Sequence, residues 1–188
     1  MTTTTTYTKR FLPHWQPQGQ AIFITWRLHG SLPKQIQEIN NVKKDISIGE
    51  AFVRRDRVLD QAQIGPLWLK DPRIAECVCS QLQKLHQQQI FSLCAYVLMA
   101  NHVHILIEPQ APLAQITQRM KGSTSRAANQ VLNRTGQPFW QSESFDHWVR
   151  NPGEWEKIRT YIERNPVAAG LVEKPENWPW SSASRPMI

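Results

Sequence analysis

Cysteine is scarce in this chain: three among 188 residues, an odd number without framework spacing. That excludes a small disulfide-stapled module and points to a reducing compartment. Cys77 and Cys79 lie one residue apart on an amphipathic helical stretch and have no second pair, so packed thiols account for them better than a metal knuckle. No run is long and clean enough to span a bilayer. The longest, residues 92–107, is broken by Asn101, His102 and His104. The opening MTTTTTYTKR lacks the apolar segment of a secretory signal and reads as a flexible tail over about residues 1–8. A P-loop, a dinucleotide fingerprint, an HExxH helix, an internal repeat and an interdomain linker are also missing. The reading is one domain over residues 1–188, large enough to hold a core without staples.

What is present is ordinary globular composition, 40% hydrophobic and 20% charged, with a net charge of +7. Positive charge of that size favours polyanions. No basic helix with a strong apolar face stands out, which turns the expectation from membranes toward nucleic acid.

Periodicity organises the chain. Residues 20–28 form an apolar, β-rich run, and Ser31 ahead of Pro33 opens a helix kept in phase by Ile36 and Ile39. Asp71-Pro72 starts a second helix, with Ile74, Val78, Leu82 and Leu85 as its core stripe. Residues 91–99 and 102–108 are strands, either a tight hairpin or one bent strand. A helix over 112–132 follows, with Leu113, Ile116, Met120 and Val131 on its apolar side, and then a strand or hairpin within 138–150. The last helix is capped by Asn151, with Pro152 in its first position and Glu154 in the capping-box position. Trp155, Ile158 and Ile162 face inward, and Asn165-Pro166 limits it. The order β-α-α-β-β-α-β-α predicts an α+β sandwich, helices on one face of an antiparallel sheet, with the polar face of strand 102–108 left free.

On that strand, ANHVHILIEP sets His102 and His104 two residues apart and hence on one face, opposite Val103, Ile105 and Ile107. Two imidazoles so placed can share one ion, although a pair of surface histidines fits the same pattern. Tyr161 and Asn165, four residues apart, share a face of the last helix. An amide oxygen suits hard ions such as Mg²⁺ or Mn²⁺. A phenol is a poor nucleophile until something helps remove its proton. By spacing alone Tyr161 is a packing residue beside Ile158, and Asn165 a helix end.

Longer stretches carry a resemblance. MANHVHILIEP (residues 99–109) and YIERNPVAAGLV (residues 161–172) are similar to the histidine strand and nucleophile helix of the REP-associated tyrosine transposases, IS200-like members of the HUH single-strand endonuclease superfamily. LPHWQPQGQAIFITWRLHGSLP, GPLWLKDPRIA, WQSESFDHWVR and the closing WPWSSA agree in the same order, so the likeness covers about residues 9–184.

The resemblance implies a ferredoxin-like α+β sandwich with the nucleophile on a C-terminal helix. It implies metal ligation by His102, His104 and Asn165, and attack by Tyr161 to leave a 5′-phosphotyrosine and a free 3′-hydroxyl. It further implies Mg²⁺ or Mn²⁺ as cofactor, single-stranded DNA carrying REP hairpins with a tetranucleotide at the foot as substrate, a monomer, and a cytoplasmic, nucleoid-associated location.

Arg119, Lys121 and Arg126, with Ser123, Thr124 and Ser125 nearby, suit phosphates, and Lys9, Arg10, Arg27 and Arg150 lie near strand ends. Trp15, Trp26 and Trp148 are candidates to stack on unpaired bases. Glu108, Glu143, Asp146 and His147 are secondary candidates near the chemistry. Two competing expectations remain: a hairpin-binding protein of this fold that does not cut, and a zinc hydrolase built on the two histidines.

Overall fold

A computed structural model of the chain describes residues 6–9, 13–16, 19–32, 48–61 and 65–186. The helix expected through Pro33, Ile36 and Ile39 lies outside the described residues, as do Arg10 and the side chains of Lys9 and Trp15.

Strands β1 (Thr6–Lys9) and β2 (Pro13–Gln16) pair antiparallel in a ladder of their own. Residues 6–8, at the end of the expected tail, thus have a strand partner. The main sheet is built from β3 (Ile22–Arg27), β4 (Phe91–Leu98), β5 (His102–Pro109) and β6 (Phe145–Trp148) in the order β4-β5-β3-β6, every neighbour antiparallel. β4 and β5 therefore form a hairpin rather than one bent strand. Within residues 138–150 only β6 is a strand, and Trp140 adds a single bridge to Leu28.

Helix α1 (Ile48–Asp60) follows β3. Helix α2 (Pro72–Gln87) leads into β4, α3 (Leu113–Val131) joins β5 to β6, and α4 (Pro152–Ala168) comes last. With α2 and α3 as the two crossovers, the sheet has ferredoxin-like order.

Local chemistry explains the helix ends. Asp71 caps α2 by accepting from the Arg73 N–H at 2.9 Å, and Ile74, Val78, Leu82 and Leu85 are all buried. Asn151 caps α4 by accepting from the Glu154 N–H at 2.9 Å. The Glu154 carboxylate reaches past the cap to the Arg150 N–H at 2.7 Å.

Asn165-Pro166 does not end α4 as expected, because the helix runs through Pro166 to Ala168. So close to the end, proline removes few intrahelical bonds. The stop is made instead by Gly170 at φ +71°, with Gly170 N–H on Val167 C=O at 3.0 Å and Leu171 N–H on Pro166 C=O at 2.9 Å. Val131, expected in the stripe of α3, sits at the helix end and is 37% exposed.

Both faces of the sheet are covered. α2 and α3 pack on Ile22, Ile24, Trp26, Val103, Ile105, Ile107 and Leu98. The opposite face, expected to be polar and free, carries Phe23, Ala95, Val97, Met99 and Leu106 under Ile162 of α4 and Phe52 of α1. A register shift between Leu93 and Ala95 switches the alternation of β4, so that Phe91 and Leu93 share the α2–α3 face with Tyr96 and Leu98, while Ala95 and Val97 turn to α4. The expected one-sided sandwich is thus a two-sided one. Phe23 and Leu106 flank the histidines with apolar surface that needs a cover.

Candidate metal centre and tyrosine

Strand alternation sends His102, His104 and Leu106 to the α4 face, and both histidines are 0% exposed. Pairing with β3 sets Thr25 opposite His104, and the Thr25 hydroxyl lies 2.7 Å from His104 Nδ1. Asn101, buried at the hairpin, places its side-chain oxygen 2.7 Å from His102 Nδ1 and donates its amide N–H to the Leu59 carbonyl at 3.0 Å. That amide oxygen can only accept, so His102 Nδ1 carries the proton and its Nε2 presents a bare lone pair to the interior.

α1 brings Asp56 to the two Nε2 atoms. Phe52, Asp56, Leu59 and Asp60 turn inward at helical spacing, while Arg54 and Arg57 are exposed. Asp56 Oδ1 lies 3.1 Å from His104 Nε2 and 3.5 Å from His102 Nε2, and Asp60 Oδ1 lies 3.6 Å from His102 Nε2. None of these approaches completes a hydrogen bond.

α4 supplies the other side. Tyr161 donates its hydroxyl to Asp56 Oδ2, and Asn165 Nδ2 donates to the same oxygen at 3.3 Å. Phe23 stacks on His104 at 5.7 Å and meets the Tyr161 ring edge-on at 6.1 Å, while Phe52 closes on Tyr161 at 6.2 Å. The structure therefore brings together all four residues singled out in the sequence: His102, His104, Tyr161 and Asn165.

Electrostatics follow from burial and crowding. Burial opposes a charge on Asp56, but His104 and then His102, with the Tyr161 hydrogen bond, outweigh it and hold the carboxyl well below its usual range. Asp60 goes the other way: burial and then the Asp56 charge push it up to about 7, against a smaller pull from His104. Burial takes His102 down to about 3, with Asp56 opposing, so the imidazole is neutral. Burial, then the Asp56 charge, push the Tyr161 phenol far above its ordinary range.

The donor set fits a cation. Five buried polar atoms without a hydrogen-bond partner line this one site: His102 Nε2, His104 Nε2, Asp56 Oδ1, Asp60 Oδ1 and Asn165 Oδ1. Each such atom costs about 1–3 kcal/mol when left unsatisfied. Asp56, His102 and His104 offer ligand atoms within 4.8 Å of one another. Their separations of 3.1 and 3.5 Å suit ligands that each lie about 2.1 Å from one ion. These three residues can hold a metal, and Asn165 Oδ1 stands beside them without a protein partner.

Asp56, Asp60, Asn101 and Thr25 were missed in the sequence. For the two aspartates the only local sign was their i, i+4 spacing in phase with Phe52. For Asn101 and Thr25 there was none.

The secondary candidates fall elsewhere. Glu108 is exposed at the end of β5, and Glu143 and Asp146 are half-buried. His147 pairs with Phe23 on the site's face of the sheet, but its Nε2 binds Glu154 at 3.0 Å.

Arg119, Lys121 and Arg126 ride on α3, on the sheet face away from the histidines; Arg119 and Arg126 are exposed. Lys121 Nζ donates to the carbonyls of Gln141 and Ser142 at 3.0 and 2.9 Å, tying α3 to the segment before β6. Thr124, expected beside phosphates, is buried, where it bonds the Met120 carbonyl at 2.7 Å and accepts from Trp140 Nε1 at 2.8 Å. Trp26 is 1% exposed in the core and cannot stack on bases. Trp148 and Arg27 are half-buried, and Arg150 is exposed between β6 and α4. Cys77, Cys79 and Cys94 are all free thiols.

Comparison with known proteins bears on the family and the fold. The sequence model of the family described as "Transposase IS200 like" matches residues 68–165, more than half of the chain. Among solved structures, a REP-associated tyrosine transposase bound to a REP hairpin is similar over 97% of this chain and 84% of its own, at 16% identity and a TM-score of 0.57. A protein from Deinococcus radiodurans R1, described as a transposase, aligns over 77% of this chain and 88% of its own, at 16% identity and a TM-score of 0.44. No curated protein matches. Among the described residues no helix is long and apolar enough to cross a membrane.

Proposed function

Because the chain belongs to the IS200-like transposase family, we propose that it is a metal-dependent single-strand DNA endonuclease and strand transferase with Tyr161 as its nucleophile. The observation that carries this reading is the meeting of three elements at one carboxylate. The Nε2 atoms of His102 and His104 on β5 and the Tyr161 hydroxyl on α4 all face Asp56 on α1.

His102 and His104, with Asn165, would hold Mg²⁺ or Mn²⁺, and such an ion draws charge from a phosphate oxygen and so favours attack on phosphorus. Asn101 and Thr25 keep the two rings turned so that their Nε2 atoms face inward. Phe23 and Phe52 pack edge-on against the Tyr161 ring and so help to fix its position. In the reaction a bond forms between the Tyr161 oxygen and phosphorus, and the bond from phosphorus to the 3′ oxygen breaks. The phenol loses its proton and the leaving 3′ oxygen gains one. The 5′-phosphotyrosine keeps the diester's energy, so an incoming 3′-hydroxyl can reverse the step and join strands.

The substrate class follows from charge and from the solved relative, whose partner is a REP hairpin. The net charge of +7 favours a polyanion. Arg119, Arg126 and Arg150 offer exposed guanidiniums for phosphates, as do Arg54 and Arg57 on the outer side of α1. The chain would act as a monomer on hairpin-bearing single strands at the nucleoid.

The test is incubation with labelled single-stranded hairpin DNA and Mn²⁺, read on a denaturing gel. Wild type should yield a covalent adduct that maps to Tyr161, and Tyr161→Phe should yield none while still binding the hairpin. An adduct retained by Tyr161→Phe refutes the nucleophile, and binding without any adduct favours the non-cleaving reading.

A further inference from the structure

Asp56 divides its two oxygens between polar partners on β5 and α4, whose aromatic rings also meet, His104 against Tyr161 at 5.7 Å. Oδ1 faces the imidazoles at 3.1 and 3.5 Å, and Oδ2 takes the Tyr161 hydroxyl together with Asn165 Nδ2. A carboxylate only 3% exposed, on a helix where Phe52 packs on the apolar cluster around Phe23 and Leu59 is buried, is costly unless it is engaged. The ligands expected from the sequence, two neutral imidazoles and an amide, bring no charge, whereas a hard divalent ion prefers anionic oxygen.

We propose that Asp56 is a positioning residue that binds the metal through Oδ1 and holds the Tyr161 hydroxyl through Oδ2, so that one carboxylate couples metal occupancy to the aim of the nucleophile. This deepens the function proposed above and rests on it for the identity of the nucleophile. Asn165 then has a second duty, steadying Oδ2 through its amide N–H while its own oxygen stays turned out of that contact. The phenol acts on the metal site through Asp56, as outer hydrogen bonds to a ligating carboxylate do.

The experiment is a double-mutant cycle on the full-length protein without DNA, read as Mn²⁺ affinity by titration calorimetry. Asp56→Asn keeps the size of the side chain and an acceptor for the phenol, and should weaken Mn²⁺ about 100-fold. Tyr161→Phe should weaken it about tenfold in the wild-type background and leave it unchanged in the Asp56→Asn background. If Asp56→Asn does not fold, Asp56→Glu replaces it and should reduce the effect of Tyr161→Phe by lengthening the tether.

Wild-type Mn²⁺ affinity in Asp56→Asn overturns the proposal, and so does a Tyr161→Phe effect of equal size in both backgrounds. Adduct formation on hairpin DNA is scored separately. An intact cycle without any adduct refutes the nuclease reading alone, whereas an adduct with additive Mn²⁺ effects refutes the coupling alone.

Discussion

Removing the Asn101 side chain should cost more than its position in a short hairpin suggests. Its amide makes two buried contacts, 2.7 Å to His102 Nδ1 and 3.0 Å to the Leu59 carbonyl, and thereby ties β5 to α1 behind the site. Asn101→Ala leaves the imidazole N–H and the carbonyl without partners. At about 1–3 kcal/mol for each unsatisfied buried group, the loss is about 2–6 kcal/mol. For a chain of 188 residues even the lower end lowers Tm by roughly 4–8 °C. Asn101→Asp separates the two contacts, because it still accepts from His102 but sets a carboxylate against the Leu59 carbonyl. Urea denaturation gives the stability and calorimetry the Mn²⁺ affinity. Both variants should be destabilised, and Asn101→Ala should also lose about 10–100-fold in Mn²⁺ affinity while Asn101→Asp loses less. A loss below about 0.5 kcal/mol in Asn101→Ala, or equal Mn²⁺ affinity in both variants, would refute the tautomer argument for His102.

Mn²⁺ at about 100 times its dissociation constant should stabilise the metal-free protein by about 2.7 kcal/mol, a rise in Tm of roughly 5–11 °C by differential scanning calorimetry. The rise should vanish in a His102→Gln, His104→Gln double variant. In acid three groups compete. Between pH 6.5 and about 3 the unfolded chain binds a proton that folded His102 refuses, so His102 removes stability as pH falls. Asp60 does the opposite between about 7 and 3.8, because its folded form holds a proton that the unfolded form has lost. Asp56, depressed on folding, loses its contribution only below 3.8. The metal-free protein should therefore hold its stability down to about pH 3.8 and lose it steeply below, whereas Asp60→Asn should begin to lose stability near 6.5. Coincident pH profiles would refute that balance. Finally, Arg119→Ala with Arg126→Ala should weaken hairpin binding and flatten its logarithmic salt dependence by about 0.7 for each phosphate that is no longer neutralised, which a salt titration of affinity measures.

Wherever a residue's role is written in a repeat, it was legible without coordinates. Period 2 set His102 and His104 on one face of β5, and Ile74, Val78, Leu82 and Leu85 marked the buried side of α2. Asn151-Pro152 marked the start of α4, and the spacing of Tyr161 and Asn165 put both on one side of it. Pro166 misled, since chain-local preference cannot see that a helix has only one turn left to run.

Tertiary structure alone decided what faces those residues. Asp56 and Tyr161 stand 105 positions apart, and Thr25 and His104 79 apart. Nothing in the pattern around either partner encodes the other. Likewise the second covered face of the sheet came from Phe23, Ala95, Val97 and Leu106, drawn from three strands whose adjacency is set by the order β4-β5-β3-β6. Periodicity is a property of neighbours along the chain and fixes which way a side chain points. A buried site depends on which elements are packed together, and that follows from closing the whole apolar surface against water.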